Sequence, residues 1–275
     1  MSNFSPFLRH ATEIITNGLP DWGSLPWINL QKLEVQLSAS GYTLHDPSRS
    51  ILISIFRSAP YLTHLILDFK MSRPPAHAAE PLPITHTKLE EISAPLNHFT
   101  QNGVLLGVQL DVPKLTSVVL CNLERSKKPE LDVFNRIWTI PRKITLNSYG
   151  DGIMAAAELV RWYPSVHTLI IERGQTEAFF IFMCTLLEKY EIHPSAGPLP
   201  LPSLTTLRIR KTNLRGVTLL ALINARIRHV RKNTRGMRAL TSIEMYETPR
   251  VTSKDWKLVL EKLEEGRLLN SQIAQ

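Results

Sequence analysis

The apolar spacing of residues 201–214 (LPSLTTLRIRKTNL) constrains the fold more than any other feature of this chain. Leucine-type residues follow the spacing L-x-x-L-x-L, with polar residues between them. In a β-strand, residues two apart lie on one face, so Leu207 and Ile209 are expected to point inward while Arg208 and Arg210 point outward. The stretch is therefore predicted to form a half-buried strand.

The same spacing recurs along the chain. Copies begin at residues 30, 62, 89, 115, 166, 204 and 240, and a degenerate copy with proline in the first position begins at 141. The copy at 204 also has Thr212 and Leu214 where the signature of a leucine-rich repeat, L-x-x-L-x-L-x-x-N/C-x-L, requires a small polar residue and a leucine. No single repeat can bury its apolar edge alone, so neighbouring copies are expected to stack.

Helical periodicity appears between the predicted strands. Apolar residues spaced i, i+3 and i+4 predict helices at residues 46–58, 151–163, 176–190, 217–230 and 254–263. Thr252 and Asp255 are spaced like a capping box before the last of these helices. Two Pro- and Ala-rich stretches, 71–86 and 193–202, are predicted to be surface loops.

The alternation of strands and helices predicts an α/β leucine-rich-repeat solenoid, a horseshoe with parallel strands on its concave face and helices on its convex face. We expect a single domain over residues 1–275. The repeats would occupy about residues 26–265, a helical cap residues 1–25, and a capping helix with a tail residues 252–275.

Composition favours an intracellular protein without a membrane span. No apolar run approaches the roughly 20 residues of a transmembrane helix, and the N-terminus lacks the pattern of a secretory signal. The two cysteines provide no disulfide framework. A cytoplasmic or nuclear location is therefore expected.

Two further stretches share a helix that ends near a proline, followed by L-x-x-L-x-L: SILISIFRSAPYLTHLILDF and LVRWYPSVHTLIIERG. Together with residues 201–214, they resemble the leucine-rich-repeat regions of fungal F-box-like proteins over about residues 20–265. The resemblance implies substrate recognition in a ubiquitin ligase, where an F-box binds a Skp1-type adaptor and the repeats bind the substrate. An F-box normally opens with Leu-Pro followed by Glu, Ile and Leu residues, and we find no such motif before the first repeat.

Motifs for catalysis are missing from the sequence. It contains no H-E-x-x-H, P-loop, G-x-G-x-x-G or G-x-S-x-G motif, and its cysteines lack zinc-site spacing. We therefore expect a non-catalytic protein without a cofactor or a metal.

Outward-facing strand residues form the natural contact surface of such a fold. They mix charged residues with the apolar residues Ile66, Val119 and Ile170, which are expected to be exposed, and this mixture suits a protein or peptide partner. The predicted partner-binding residues are Lys32, Glu34, His64, Asp68, Thr168, Glu172, Thr206, Arg208, Arg210, Glu244 and Tyr246.

A basic run overlaps this surface, because residues 192–243 contain neither Asp nor Glu. Its predicted anion-binding cations are Arg208, Arg210, Lys211, Arg215, Arg226, Arg228, Arg231, Lys232, Arg235 and Arg238. Such a run favours an acidic protein partner, with nucleic acid as the alternative and a merely solvated surface as the third interpretation. No aromatic residues interleave with it for base stacking, which weakens the nucleic-acid alternative.

Overall fold

A computed structural model of the chain describes residues 10–16, 27–36, 48–68, 84–95, 110–121, 141–147, 163–174, 176–194, 197–234 and 236–273. The chain divides into two compact units, Met1–Cys121 with Pro129–Thr139 and Asn122–Lys128 with Ile140–Gln275. The helix predicted at 151–163 lies outside the described residues except for its last position, as do most of the loop predicted at 71–86 and the predicted site residue Arg235.

The first unit contains a run of parallel strands in chain order. They are β1 (Glu13–Thr16), β2 (Lys32–Gln36), β3 (His64–Asp68), β5 (Glu91–Pro95) and β7 (Ser117–Cys121). A short parallel pair, β4 (Ile84–Thr85) with β6 (Leu110–Asp111), and the helix α1 (Ser48–Ser58) complete its described elements. The predicted inward residues align in one row: Leu33 with Leu65, Leu65 with Ile92, and Ile92 with Val118.

The second unit has the same strand arrangement with more helix. Its strands are β8 (Lys143–Asn147), β9 (Thr168–Glu172), β10 (Thr206–Arg210) and β11 (Ser242–Tyr246), again parallel and in chain order. Its described helices are α2 (Thr176–Ile192), α3 (Gly216–Arg231) and α4 (Ser253–Ile273), and α3 packs against both others.

The predicted strand spacing is confirmed. All eight copies of the pattern form strands, including the degenerate copy at 141, and parallel strands with helices make an α/β fold. Leu207 and Ile209 are fully buried, while Arg208 and Arg210 lie on the opposite face and are partly exposed. The two-residue period of the strand therefore separates core and surface as expected.

Threonines before four of the strands reinforce the parallel register. The hydroxyls of Thr63, Thr116, Thr205 and Thr241 each donate to the backbone carbonyl that precedes the neighbouring strand, at 2.9, 3.3, 3.4 and 3.4 Å. The same carbonyl accepts two backbone N–H groups, as Gln31 does from Thr63 and His64. A side chain that bonds to the backbone at this point fixes where each strand begins.

The predicted helical cap at residues 1–25 is wrong for Glu13–Thr16, which form strand β1 instead. Ile14, Ile15 and Thr16 are β-branched and favour extended backbone. Ile14 pairs with Leu33 of β2, so these residues extend the sheet of the first unit by one strand.

In the second unit, α2 and α3 begin and end within two residues of their expected bounds, whereas α4 continues past its expected end at residue 263 to Ile273. The capping box is confirmed: the N–H of Asp255 donates to Thr252 Oγ1 at 3.2 Å, and the N–H of Thr252 donates to Asp255 Oδ2 at 2.9 Å. The loop predicted at 193–202 is not wholly at the surface, because Leu199 and Leu201 are buried.

Candidate functional site

Four of the predicted partner-binding residues lie on the sheet of the first unit: Lys32, Glu34, His64 and Asp68. The register aligns Lys32 with His64 and places all four on the face opposite the buried leucines. Lys32 forms an ion pair with Glu13 of β1, and this hydrogen bond raises the pKa of the Lys32 ammonium. His64 is held by the hydroxyl of Thr63, 2.9 Å from Nδ1.

The other predicted partner-binding residues come together on three strands of the second unit. The register aligns them in three rows across β9, β10 and β11: Thr168, Thr206 and Ser242; Ile170, Arg208 and Glu244; Glu172, Arg210 and Tyr246. We call these nine positions the strand face. Ile170 is buried in the middle of it, and Tyr246 is 61% exposed.

Both arginines of the strand face are positioned by carboxylates on neighbouring strands. Arg210 Nη1 donates to Glu172 Oε1 at 3.3 Å, which joins β10 to β9. Arg208 Nε lies 3.1 Å from Glu244 Oε2 on β11, close enough for an ion pair but not aligned for a hydrogen bond. The two guanidinium groups are therefore held in place before any partner binds.

An open pocket of about 530 Å³ lies where these strands end. Its lining residues are Glu172, Arg173, Arg210, Lys211, Glu244, Met245 and Tyr246. The sequence predicted five of the seven but missed Arg173 and Met245. Arg173 lies outside the basic run at 192–243, so the charge pattern does not predict it. Its position does, because Arg173 follows the last residue of β9 just as Lys211 follows the last residue of β10.

The residue after each of these strands has left-handed backbone. The φ angles are 68° at Arg173, 54° at Lys211 and 52° at Glu247. Without this conformation, strand alternation would point these charged side chains toward the core. The N–H of Arg173 still donates to Arg210 O at 2.8 Å, and that of Lys211 to Tyr246 O at 2.9 Å. Each left-handed non-glycine residue costs about 1–2 kcal/mol, and such strain is concentrated at functional sites.

One member of the predicted basic patch is part of the core. Arg226 is 1% exposed, so its assignment to an anion-binding surface is wrong. Nη1 donates to the carbonyl of Leu201 at 3.0 Å. The two N–H groups of Nη2 are shared among the carbonyls of Pro202, Leu204 and Arg238, at 3.2, 2.8 and 2.7 Å. Arg226 lies within α3, and its position on the buried face of this helix turns the side chain inward.

Half of the ten predicted cations are paired with carboxylates. Besides Arg208 and Arg210, the pairs are Arg215 with Glu177, Arg231 with Glu265, and Lys232 with Glu191. The partners come from adjacent strands and helices 34–41 residues away in sequence. These carboxylates reduce the net positive charge of the predicted anion-binding patch, and anion binding by these residues stays a prediction. Lys211 and Arg228 are exposed, and Arg238 is half-buried.

No group of three or more His, Cys, Asp or Glu side chains suited to a metal ion occurs in the described ranges. Burial raises the pKa of the Cys121 and Cys184 thiols to about 11, so both are uncharged at neutral pH. Among the described helices, none has the length and apolar character needed to cross a membrane. No protein-family model matches this chain, and no curated protein matches its sequence significantly.

Proposed function

We propose that this chain is a leucine-rich-repeat solenoid that binds a protein partner without catalysing a reaction. The observation that carries the proposal is the strand face, where charged, polar and aromatic side chains align in register and end at an open pocket. In a solenoid of this type, the strand face is the concave surface that adjacent repeats build together.

The ordering of the strand face supports protein recognition. Binding loses affinity when mobile side chains must be fixed, by about 0.5–1.5 kcal/mol for each flexible side chain. Arg208 and Arg210 are already fixed by Glu244 and Glu172. Tyr246 is exposed beside them, and Tyr and Arg are the residue types that most often dominate the binding energy of protein interfaces.

The partner that the sequence resemblance suggests is a ubiquitin-ligase substrate. In this proposal the chain supplies the recognition part of an F-box-type ligase, and a Skp1-type adaptor would bind through an F-box that we do not find in this sequence. The strand face would supply affinity, and acidic partners would be favoured by the cations around the pocket.

Nucleic acid is the weaker alternative. Affinity for nucleic acid requires cations that release counterions from phosphates. Five of the ten cations in the basic run are engaged by carboxylates, and Arg226 is buried. The carboxylates of Glu172 and Glu244 also lie within the pocket, where they would repel a polyanion.

A pair of charge-swapped variants tests the proposal. The strand-face swap combines Arg208→Glu with Glu244→Arg, and the helix-side swap combines Lys232→Glu with Glu191→Lys; each preserves an ion pair and the net charge. Tagged wild-type and variant chains are used to capture proteins from a fungal cell extract, with and without nuclease, and the captured proteins are quantified by mass spectrometry.

We expect the wild type and the helix-side swap to capture the same partner protein in equal amounts. The strand-face swap should capture at least tenfold less of it, because the carboxylate introduced by Arg208→Glu would then face an acidic group of the partner across the interface. Nuclease should not affect its capture, and a Skp1-type adaptor among such proteins would support the ligase role. Equal capture by all three chains would contradict the proposed face. Loss of all captured material on nuclease treatment would instead favour nucleic-acid binding.

A further inference from the structure

Strand β11 has an unpaired edge. Among the described strands it pairs with β10 alone, so only one side of its backbone is bonded to a neighbouring strand. The carbonyl of Tyr246 accepts the N–H of Lys211 at 2.9 Å and therefore faces β10. Successive residues of a parallel strand direct their backbone groups to alternate sides, so Ile243 and Met245 direct theirs away from β10. No hydrogen bond to these outward groups occurs in the described part of the chain.

Helix α4 covers the outward backbone groups of the segment that precedes this strand. Asn270 bonds to the N–H and the carbonyl of Ala239, at 2.9 and 3.0 Å, and Arg267 Nε donates to Thr241 O at 3.1 Å. These contacts end before the first residue of β11. Polar groups of the backbone need a partner wherever water is excluded, and α4 supplies one only up to residue 241.

The apolar row of the second unit is also incomplete at this edge. Ile171 and Ile209, on the inner strands, are fully buried, whereas Met245, which is aligned with Ile209, is partly exposed. On α4, Leu260 is 50% exposed and lies two helical turns, about 10 Å, before Arg267 on the same face. An uncovered apolar surface therefore borders the unpaired backbone.

An extended polypeptide fits both features. Its backbone supplies donors and acceptors at the spacing of an adjacent strand, and its alternate side chains point toward the apolar surface. A second copy of this chain fits less well. Two copies of β11 paired about a two-fold axis at Glu244, which is 53% exposed at its side chain, would bring two like-charged carboxylates opposite each other.

We propose that β11 binds an extended segment of the protein partner as an additional strand, with backbone hydrogen bonds to Ile243 and Met245 and an apolar side chain against Met245 and Leu260. The proposal rests on the proposed function and specifies the form in which part of the partner is bound. Since β11 also contributes Glu244 and Tyr246 to the strand face, the added strand would extend that face by one position in each row.

A peptide library tests this edge on the full chain. Random 12-residue peptides displayed on phage are first depleted on the Met245→Pro variant and then selected on the wild type. Proline removes the outward N–H of residue 245, and because that group makes no bond to β10, the variant is expected to fold. We expect the selected peptides to alternate apolar and polar residues. Met245→Pro should bind the best one about tenfold more weakly in a fluorescence anisotropy titration, because one backbone hydrogen bond is lost.

Met245→Leu is the matched control, because it keeps both the N–H and an apolar side chain; it should bind the peptide as the wild type does. A second measurement needs no variant of the protein. N-methylation of each amide of the paired peptide stretch should weaken binding about tenfold at every second residue and little at the residues between, because only alternate amides of an added strand face β11.

Depletion that leaves no peptides, equal binding by Met245→Pro and the wild type, or N-methylation effects without this two-residue period would each overturn the edge assignment. A wild-type dimer that Met245→Pro dissociates, measured by sedimentation, would also overturn it and would assign the edge to a second copy. If the strand-face swap still loses a captured protein in any of these cases, the proposed function stands and only the edge assignment fails.

Discussion

Arg226 connects two segments of the second unit from the inside. Its guanidinium bonds to carbonyls before β10 (Leu201, Pro202 and Leu204) and before β11 (Arg238). Burial lowers the pKa of Arg226 to about 9, so the group is still protonated at neutral pH and donates with full charge. Hydrogen bonds from a charged donor contribute about 1.5–3 kcal/mol each, and the cost of removing the cation from water offsets part of that gain.

We expect Arg226→Leu to lower the free energy of unfolding by at least about 3 kcal/mol, because buried carbonyls would lose their donor. Urea titration followed by circular dichroism measures the change. Arg228→Leu is the control two residues along the same helix, where an exposed side chain should change stability by no more than about 0.5 kcal/mol. Similar stability in the two variants would show that the buried guanidinium is dispensable.

Helical spacing contains the information that Arg226 is buried. Ile223, Ile227 and Val230 lie on the buried face of α3, and Arg226 falls on that same face by the i+3 and i+4 rule. Charge type alone placed it at the surface. Position in the helix is the stronger signal at this residue, because the two Nη atoms of a buried arginine can donate to backbone carbonyls inside a core.

At the scale of elements, α4 packs unusually close to the segment that enters β11. Asn270 bonds to both the N–H and the carbonyl of Ala239, at 2.9 and 3.0 Å, and Arg267 Nε donates to Thr241 O at 3.1 Å. Gly266 lies at the point of contact, where a Cβ atom would be 2.5 Å from the carbonyl oxygen of Leu240. The close approach requires a residue without a side chain.

We therefore expect Gly266→Ala to destabilise the protein by about 1–3 kcal/mol through overpacking. The direction of the change in unfolding free energy is informative, since replacing glycine by alanine within a helix ordinarily stabilises it by about 1 kcal/mol. Thermal and urea unfolding of the variant provide the measurement, with Glu261→Ala at an exposed position of α4 as the control. A stabilised Gly266→Ala variant would contradict the close packing.

The start of α4 was predictable from sequence but its end was not. Thr252 and Asp255 form the capping box that their spacing indicates. Gly266 follows the expected end at residue 263 and has the residue type that commonly terminates a helix, but it packs inside α4, which continues to Ile273. The sequence does not predict strand β1, because its isoleucines lack the leucine spacing of the other strands. The pairing of β1 with β2 is apparent only in the folded sheet.

At the scale of the whole molecule, charge pairing follows the fold rather than the sequence. Strand periodicity correctly predicted which residues share the strand face. It could not predict that Glu177 lies beside Arg215, or Glu191 beside Lys232, because these neighbours are 38 and 41 residues apart in sequence. Counting the charged residues within one stretch of sequence therefore overestimates its net positive charge in the folded protein, because carboxylates from neighbouring strands and helices pair with its cations.

These ion pairs give stability a defined dependence on pH. Burial tends to raise the pKa of Glu177, but hydrogen bonds from Arg215 and Thr218 outweigh it and lower the pKa overall. The hydrogen bond from Lys232 lowers the pKa of Glu191. Because both pKa values are lower in the folded state than in the unfolded state, their stabilisation is complete above about pH 5 and is lost as pH falls through the lowered values.

We expect the free energy of unfolding to decline from pH 5 toward pH 3, and to decline less steeply in the double variant Glu177→Gln/Glu191→Gln. Urea titrations across this range measure the slope, and 1 M NaCl should reduce the difference between wild type and variant because it screens exposed pairs. Glu188→Gln, an exposed position of the same helix, should retain the wild-type slope. Identical slopes for the wild type and the double variant would mean that the pairs between adjacent helices contribute nothing to folding, and that the acid sensitivity of the protein has its origin elsewhere.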